Sequence, residues 1–302
     1  MERPPAPSTG RSDGASDASL LAWERLHGEP FDRVKALAFH LRARAALEHA
    51  LARLDEAGIP AVVVKGALLA HTLYASPIER PIRDVDLRVR PVDLARAGRI
   101  LAGAPGAKAL VRSRVYGSWV VSFERVELDL ESAIGPPFVC GIPVEAILAR
   151  AQRTTEGLGF PHWRPEIHDH ALLLIVNLFK DRFLDVPPWK LGDLVRLVRA
   201  PGFDPATFHE RVREAECTTV AHVVANVVAT LAESREWEEM AARIVPARRR
   251  YAARILSDLG VKQARPALWR RLSARACADS RSRALAALGA SGLHEIERRL
   301  NR

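Results

Sequence analysis

Cysteine and long apolar runs are both scarce in this sequence of 302 residues. Its three cysteines, Cys140, Cys217 and Cys277, stand far apart in the chain. We therefore expect reduced thiols in a cytoplasmic protein, with neither a Cys-x-x-Cys metal site nor a disulfide framework. Because no apolar run reaches about 18 residues, no membrane span is expected. Residues 1–18 are polar and rich in Pro, Ser and Gly, which predicts a disordered leader rather than a secretory signal.

Acidic residues are scarce in one region only. Residues 241–302 hold 15 basic and four acidic residues, a net of +11, whereas the whole chain has a formal net charge of +9. The preceding 240 residues therefore have a net charge of −2. Two interpretations stay open: solvated helix faces, or a surface that binds a polyanion such as RNA. No motif of a known nucleic-acid-binding fold supports the second.

Two kinds of periodicity divide the chain. Over residues 59–164 short β-branched runs alternate with helical segments, which predicts a small α/β domain with a mixed sheet. Over residues 165–302 only helical spacing occurs, including separate helices at 265–288 and 291–300, which predicts an all-α domain with a basic C-terminal part. Helices are also expected within residues 19–58. The predicted fold class is therefore α+β: the α/β domain followed by the helical domain.

Pairs of acidic residues lie on two of the predicted strands. Asp84 and Asp86 alternate with apolar residues, so both carboxylates leave one face of their strand, about 6–7 Å apart. Two like charges this close are unfavourable unless a cation neutralises them, and Mg²⁺ prefers carboxylate and phosphate oxygens. Glu127 and Asp129 repeat the pattern on a later strand. Convergence of the two strands would make a two-metal site for phosphoryl transfer, whereas separate strands would carry ordinary surface acids.

A turn suited to phosphate precedes these acids. Lys65 and Gly66 end a buried strand and begin a helix. Because glycine has no Cβ, backbone N–H groups at Gly66 can approach a phosphate, and the Lys65 ammonium can neutralise it. Taken alone, the glycine is equally consistent with an ordinary strand-to-helix turn.

Residues 55–200 resemble a known family. The stretch from Lys65 to Leu94 combines the Lys-Gly turn, an arginine just before Asp-x-Asp, and a helix that starts with Arg-Pro-x-Asp-Leu. Later come the helix DHALLLIVNLF and a Trp-x-x-x-Asp-Leu helix. This pattern is similar to the uncharacterised nucleotidyltransferase family of the DNA polymerase β-type superfamily. The resemblance implies a nucleotidyltransferase-type mixed sheet followed by helices.

The sequence departs from the family pattern at three places. Ala67 follows Gly66 where the superfamily's familiar form has serine, so the serine contact to phosphate is missing. Glu127-Leu128-Asp129 replaces an acidic-x-His motif, which leaves open whether Glu127, Asp129 or both bind metal. Asn177 stands where the family often has histidine.

The resemblance also implies the chemistry. A nucleoside monophosphate would move from an NTP to an acceptor hydroxyl, releasing pyrophosphate, with Mg²⁺ or Mn²⁺ as cofactor. The catalytic and metal-binding residues would be Asp84, Asp86, Glu127 and Asp129. The residues expected to bind the nucleotide are Lys65, Gly66, Arg80, Arg83, Lys180, Lys190 and Asp193.

The acceptor is open at this point. It could be a small molecule, peptide or protein, or RNA bound through residues 241–302 as in a toxin that extends a tRNA end. A third alternative is a member of the fold that lost catalysis and only binds a nucleotide or partner, against which the retained carboxylates argue. The arginines of residues 241–302 come in doublets and triplets that wrap around a helix, which favours the first alternative over RNA. His168 and His170 are two apart on a helix and share no face, so no zinc site is expected.

Overall fold

A computed structural model of the chain describes Gly28 and residues 31–180, 186–260 and 276–300, apart from the side chains of 180 and 258–260. The predicted leader lies outside the described residues. The described helices are α1 (Arg33–Glu56), α2 (Gly66–Thr72), α3 (Pro91–Ala102), α4 (Val144–Arg150), α5 (Ile167–Lys180), α6 (Pro188–Arg199), α7 (Pro205–Glu214), α8 (Thr218–Leu231), α9 (Arg235–Arg243), α10 (Arg249–Gly260) and α11 (Arg281–Leu300). The described strands are β1 (Val62–Val64), β2 (Asp84–Arg88), β3 (Lys108–Ser113), β4 (Ser118–Phe123), β5 (Val126–Glu131), β6 (Gln152–Thr154) and β7 (His162–Arg164).

The seven strands form one mixed sheet in the order β3-β4-β5-β2-β1-β7-β6. The central strand β2 pairs antiparallel with β1 and parallel with β5, and the remaining pairs include both orientations. The mixed sheet and the helices that follow it confirm the predicted fold class. Among the described helices, none is long and apolar enough to cross a membrane.

Alternation along the strands separates two sheet faces. On one face Val63, Leu87 and Leu128 pack in an apolar cluster beneath α1 and α3. On the other face Val62 and Val64 join a second cluster with the buried residues of α5 to α8. The acidic residues of β2 and β5 share this second face, so the helices stand over it. The sheet therefore presents its charged residues to the helical part of the molecule.

Two expectations about elements were wrong. Strands β6 and β7 lie in a Gly- and Pro-bearing stretch for which no strand was predicted, and they extend the sheet at its β1 side; the short helix expected just before them is present as α4. Each has only three residues, too few for a recognisable alternation. Helix α11 is continuous through Gly289 and Gly292, where two helices were expected. The reason is that burial of Ala284, Ala287 and Ala290 on one side outweighs the low helix propensity of glycine.

The three cysteines are free thiols that form no disulfide bond, as expected. Cys217 and Cys277 are fully buried and Cys140 is half-buried. A hydrogen bond joins Cys140 to Cys217 although 77 residues separate them in the sequence, and this bond lowers the pKa of Cys140. The division of the chain into domains at residue 164 stays a prediction.

Candidate active site

The predicted acidic strands are neighbours, and their register pairs the acids directly. In the parallel pair β2–β5, Asp84 stands beside Glu127 and Asp86 beside Asp129. One carboxylate oxygen from each of Asp86, Asp129 and Glu131 lies within 4.8 Å of the others. Glu131 is the next residue of β5 on this face and was not predicted as a site residue. A buried carboxylate cluster therefore stands at the centre of the sheet.

Glu127 differs from the other acids of this face. Its side chain is exposed, whereas Asp86 is buried and Asp129 is half-buried. The cleft above the sheet, about 280 Å³ in volume, is lined by Asp129 but not by Glu127. The cleft therefore distinguishes two acids that the sequence left equivalent.

Nine of the eleven predicted site residues line this cleft. They are Lys65, Gly66, Arg80, Arg83, Asp84, Asp86, Asp129, Lys190 and Asp193. Glu127 is not among the lining residues, and the side chain of Lys180 lies outside the described part of the chain. The cleft is also lined by four residues that were not predicted to act there: Leu174, Asn177, Pro187 and Trp189.

Asp84 lies in a strongly perturbed environment. Burial and, next, the neighbouring carboxylate of Asp86 raise the pKa of Asp84 to about 6. Lys65, Arg80 and Lys190 act in the opposite direction without restoring the ordinary value. Burial and the nearby Asp86 therefore make the ionised form of Asp84 unfavourable, and an added cation would stabilise that form.

Lys65 pairs with two members of the carboxylate cluster. Its ammonium donates a hydrogen bond to Asp86 and lies 3.9 Å from Glu131, which also pairs with Arg88. Burial lowers the pKa of Lys65, but the carboxylates of Asp86 and Glu131 outweigh it and raise the pKa above its ordinary value. Lys65 is therefore charged wherever the acids are charged.

The Lys65-Gly66 turn has little room. Lys65 adopts a φ of 58°, in a backbone region that favours glycine, and its backbone N–H donates to His170 Nε2 over 3.1 Å. A Cβ on Gly66 would collide with the guanidinium of Arg80. Only glycine fits this position without moving Arg80.

Arg80 and Asp193 pair with each other in the cleft wall. Arg80 donates from Nη2 to Asp193 over 2.7 Å and from Nη1 to the carbonyl of Pro81 over 2.7 Å. Tyr74 donates its hydroxyl to the same carboxylate over 2.8 Å. Because both members of the pair are buried, Arg80 is held as part of the wall. The contact with the nucleotide expected for Arg80 would require this pair to open.

Three described arginines of the basic region, Arg248, Arg298 and Arg299, contact groups that do not line the cleft. Arg298 and Arg299 share Glu295, at 3.0 and 3.5 Å, on their own helix α11. Arg248 donates to a backbone carbonyl, and its guanidinium lies 4.5 Å from the centre of the Tyr251 ring. Arg270 and Arg271, which also belong to the basic residues 241–302, lie outside the described residues.

Comparison with known families identifies the chain. The family described as "Uncharacterised nucleotidyltransferase" matches residues 32–233, well over half of the sequence. The protein therefore belongs to this family, and the predicted enzyme class, nucleotidyltransferase, is confirmed. A comparison with curated proteins found no match.

Two solved structures of ANT(2'')-Ia are similar to the chain. The first is the crystal structure in complex with adenylyl-2''-tobramycin, which is 17% identical in sequence to this chain. The match covers 56% of this chain and 97% of the chain in that structure, with a TM-score of 0.40. The second is a solution structure, described as that of an antibiotic-resistance factor, which is 16% identical in sequence to this chain. The match covers 71% of this chain and 96% of the chain in that structure, with a TM-score of 0.39. At TM-scores this low the likeness carries no conclusion about this chain.

Proposed function

We propose, from this family membership and the cleft, that the protein uses Mg²⁺ or Mn²⁺ to transfer a nucleoside monophosphate from an NTP to an acceptor hydroxyl, with release of pyrophosphate. The observation that carries the proposal is the convergence of Asp86 and Asp129 beside the Lys65 ammonium. The same cleft is lined by the Gly66 turn and by residues from helices. One concave site thus offers groups for metal, phosphate and acceptor.

The donor set of the cleft fits a hard divalent cation. Asp84, Asp86 and Asp129 offer carboxylate oxygens, the ligands that Mg²⁺ and Mn²⁺ prefer. The raised pKa of Asp84, caused by burial and by Asp86, is typical of carboxylates crowded together at a cation site. When bound, the cation would neutralise the triphosphate and stabilise charge that develops on the transferred phosphoryl group.

Asp129, rather than Glu127, is proposed as the third functional carboxylate. Its place in the cleft lining and its distance to Asp86 support this choice. As the acceptor oxygen bonds to the α-phosphorus and the bond to the β-phosphate oxygen breaks, the acceptor hydroxyl loses its proton. Asp129 is the carboxylate that we assign to receive it.

The remaining cleft residues are assigned to the nucleotide. Lys65 and the Gly66 backbone N–H would neutralise the phosphates, with Arg83 at the exposed rim and Lys190 on the helical wall. Asp193 would act by holding Arg80 in place rather than by touching phosphate, which revises the role predicted from sequence.

A small molecule, peptide or protein is the proposed acceptor. The apolar side chains of Leu174 and Trp189 give the cleft a wall against which a base or an acceptor ring can pack. The RNA alternative has less support, because Arg298 and Arg299 are engaged with Glu295. The alternative of a catalytically inactive protein is opposed by the intact carboxylate cluster.

Labelling by radioactive NTPs tests the proposal directly. The protein would be incubated with each α-³²P-labelled NTP, Mg²⁺ or Mn²⁺, and either cell extract or total RNA, and the small-molecule, protein and RNA fractions would be counted. We expect label in the small-molecule or protein fraction, and none after EDTA treatment or with Asp84→Asn. Label in RNA would establish the RNA-directed alternative, and no label with any NTP would contradict nucleotidyl transfer.

A further inference from the structure

The backbone at Lys65 is held in a conformation that a lysine rarely adopts. Its φ is 58° and its ψ is −139°, outside the regions where a Cβ is tolerated without strain. Such a conformation persists only where neighbouring groups fix it. The residue is also buried, so water does not provide partners for its backbone.

His170 supplies the fixing contact. Its Nε2 accepts the backbone N–H of Lys65 over 3.1 Å, across 105 residues of sequence. His170 is buried on helix α5, and burial, with smaller contributions from Arg164 and Arg88, lowers its pKa to about 3. The imidazole is therefore neutral at physiological pH, so Nε2 is available as an acceptor throughout the working range.

We propose that His170 is a positioning residue, which locks the Lys65-Gly66 turn and thereby holds the Lys65 ammonium at Asp86 and the Gly66 backbone toward the nucleotide. The proposal rests on the proposed nucleotidyl transfer. It adds that a residue of the helical wall, without touching substrate, sets the geometry of the phosphate turn. Neither histidine of this helix was given a role from the sequence.

The same helix offers a matched control. His168, two residues earlier, is buried as well, and its Nε2 accepts a backbone N–H, that of Asp204, over 2.9 Å. This bond fixes the start of α7 and not the phosphate turn. Loss of either histidine removes an acceptor for a backbone N–H, and loss of His168 also removes a bond between its Nδ1 and Glu166, but only His170 bonds to a residue of the cleft.

Kinetics of three variants test the proposal. His170→Leu removes the acceptor, His170→Gln places an amide oxygen near the position of Nε2, and His168→Leu removes the control bond. We expect His170→Leu to lower kcat/KM by about 10- to 100-fold, mainly through KM for the NTP, because displacement of a substrate-positioning turn misaligns the phosphates. His170→Gln should recover most of this loss, and His168→Leu should stay within about threefold of wild type at a comparable Tm. Equal kinetics for His170→Leu and His168→Leu would overturn the proposal.

Hydrogen exchange gives a measurement that does not depend on activity. The Lys65 amide should exchange slowly in the wild type and at least about tenfold faster in His170→Leu, with little change in His168→Leu. If His170→Leu does not fold, His170→Asn, whose shorter side chain keeps polarity but not reach, replaces it in both measurements. An unchanged Lys65 exchange rate in the variant would overturn the positioning role. Absence of transfer in the wild type, with fast exchange in the variant, would contradict the proposed function and leave the His170 lock supported.

Discussion

The cleft and the C-terminal region are both rich in charge, but they arrange it differently. In the cleft, Lys65 and Arg80 are buried, and each bonds to a carboxylate on a different element of the fold. In the C-terminal region, Arg298 and Arg299 pair with Glu295 of their own helix. Arg283 of this region also pairs across the fold, with Glu216, but this pair is partly exposed, so the two regions differ in how deeply their charge pairs are buried.

Burial explains why the difference matters. A buried charge is tolerated only when it is paired and hydrogen-bonded, so each cleft cation constrains the position of its partner. A charge on a helix surface is solvated and constrains little. Convergence of charges from several elements therefore identifies a site, whereas a local excess of one residue type does not. The following variants test this comparison.

Loss of a single cleft carboxylate should have the largest effect. Asp84→Asn preserves side-chain volume but removes a charged oxygen ligand, so we expect transfer to fall at least about 1,000-fold while the protein stays folded. The matched change in the other region is Glu295→Gln, which we expect to leave the rate unchanged. Rates with labelled NTP and circular dichroism would be measured for both. A fully active Asp84→Asn protein would refute the mechanism.

The next largest effect is expected on the free energy of unfolding, when the buried Arg80–Asp193 pair in the cleft wall is broken. Asp193→Asn leaves the Arg80 guanidinium buried without its counter-charge, which costs about 3–5 kcal/mol. Urea unfolding would measure this loss. The control is Glu236→Gln, at the exposed Arg199–Glu236 pair, which should leave the unfolding midpoint almost unchanged. Similar midpoints for the two variants would mean that the buried pair is not a structural part of the wall.

The two acids of β5 should differ in activity. Asp129→Asn is expected to lower kcat by about 100-fold or more, because it removes the proposed proton acceptor at the cleft. Glu127→Gln, an equally conservative change on the same strand face, should stay within about threefold of wild type, since its side chain is exposed. Steady-state rates at fixed Mg²⁺ would compare the two. The reverse order of effects would transfer the third-carboxylate role to Glu127.

Local pattern made part of this site predictable. The alternation at Asp84 and Asp86 placed both acids on one strand face, and the Lys65-Gly66 pair marked the turn above them. The difference between Asp129 and Glu127 was not predictable, because both lie on one face of β5 and only the position of the cleft along that strand separates them. Alternation assigns residues to a face of a strand but not to a position beneath a cleft.

Contacts between residues far apart in the sequence could not be predicted from the sequence. The bond from Lys65 to His170 spans 105 residues and that from Arg80 to Asp193 spans 113. Each depends on where α5 and α6 settle over the sheet, which apolar packing decides. The composition of His170's own helix gives no sign of its partner, since a buried histidine suits a helix core equally well.

RNA binding is the measurement where we expect the smallest effect, and it decides how the basic region is interpreted. Helix α11 attaches to the sheet through Glu297, which accepts bonds from Ser113 and from the backbone of Arg114, both at 2.6 Å. Strand β3, which ends at Ser113, forms one edge of the sheet, two strands beyond β5. The arginines at the end of α11 therefore belong to a sheet edge and not to the cleft.

A titration with tRNA at two salt concentrations tests this placement. For wild type and for a variant with both Arg298→Gln and Arg299→Gln, we expect the same weak affinity, because these arginines lie on a helix that attaches to the β3 edge of the sheet and not to the cleft. A surface that neutralised many phosphates would instead release counterions, and its affinity would fall about a thousandfold between about 50 and 200 mM salt. Such a fall, reduced in the double variant, would show that the C-terminal charges act together after all. It would make the two regions parts of one RNA-directed enzyme.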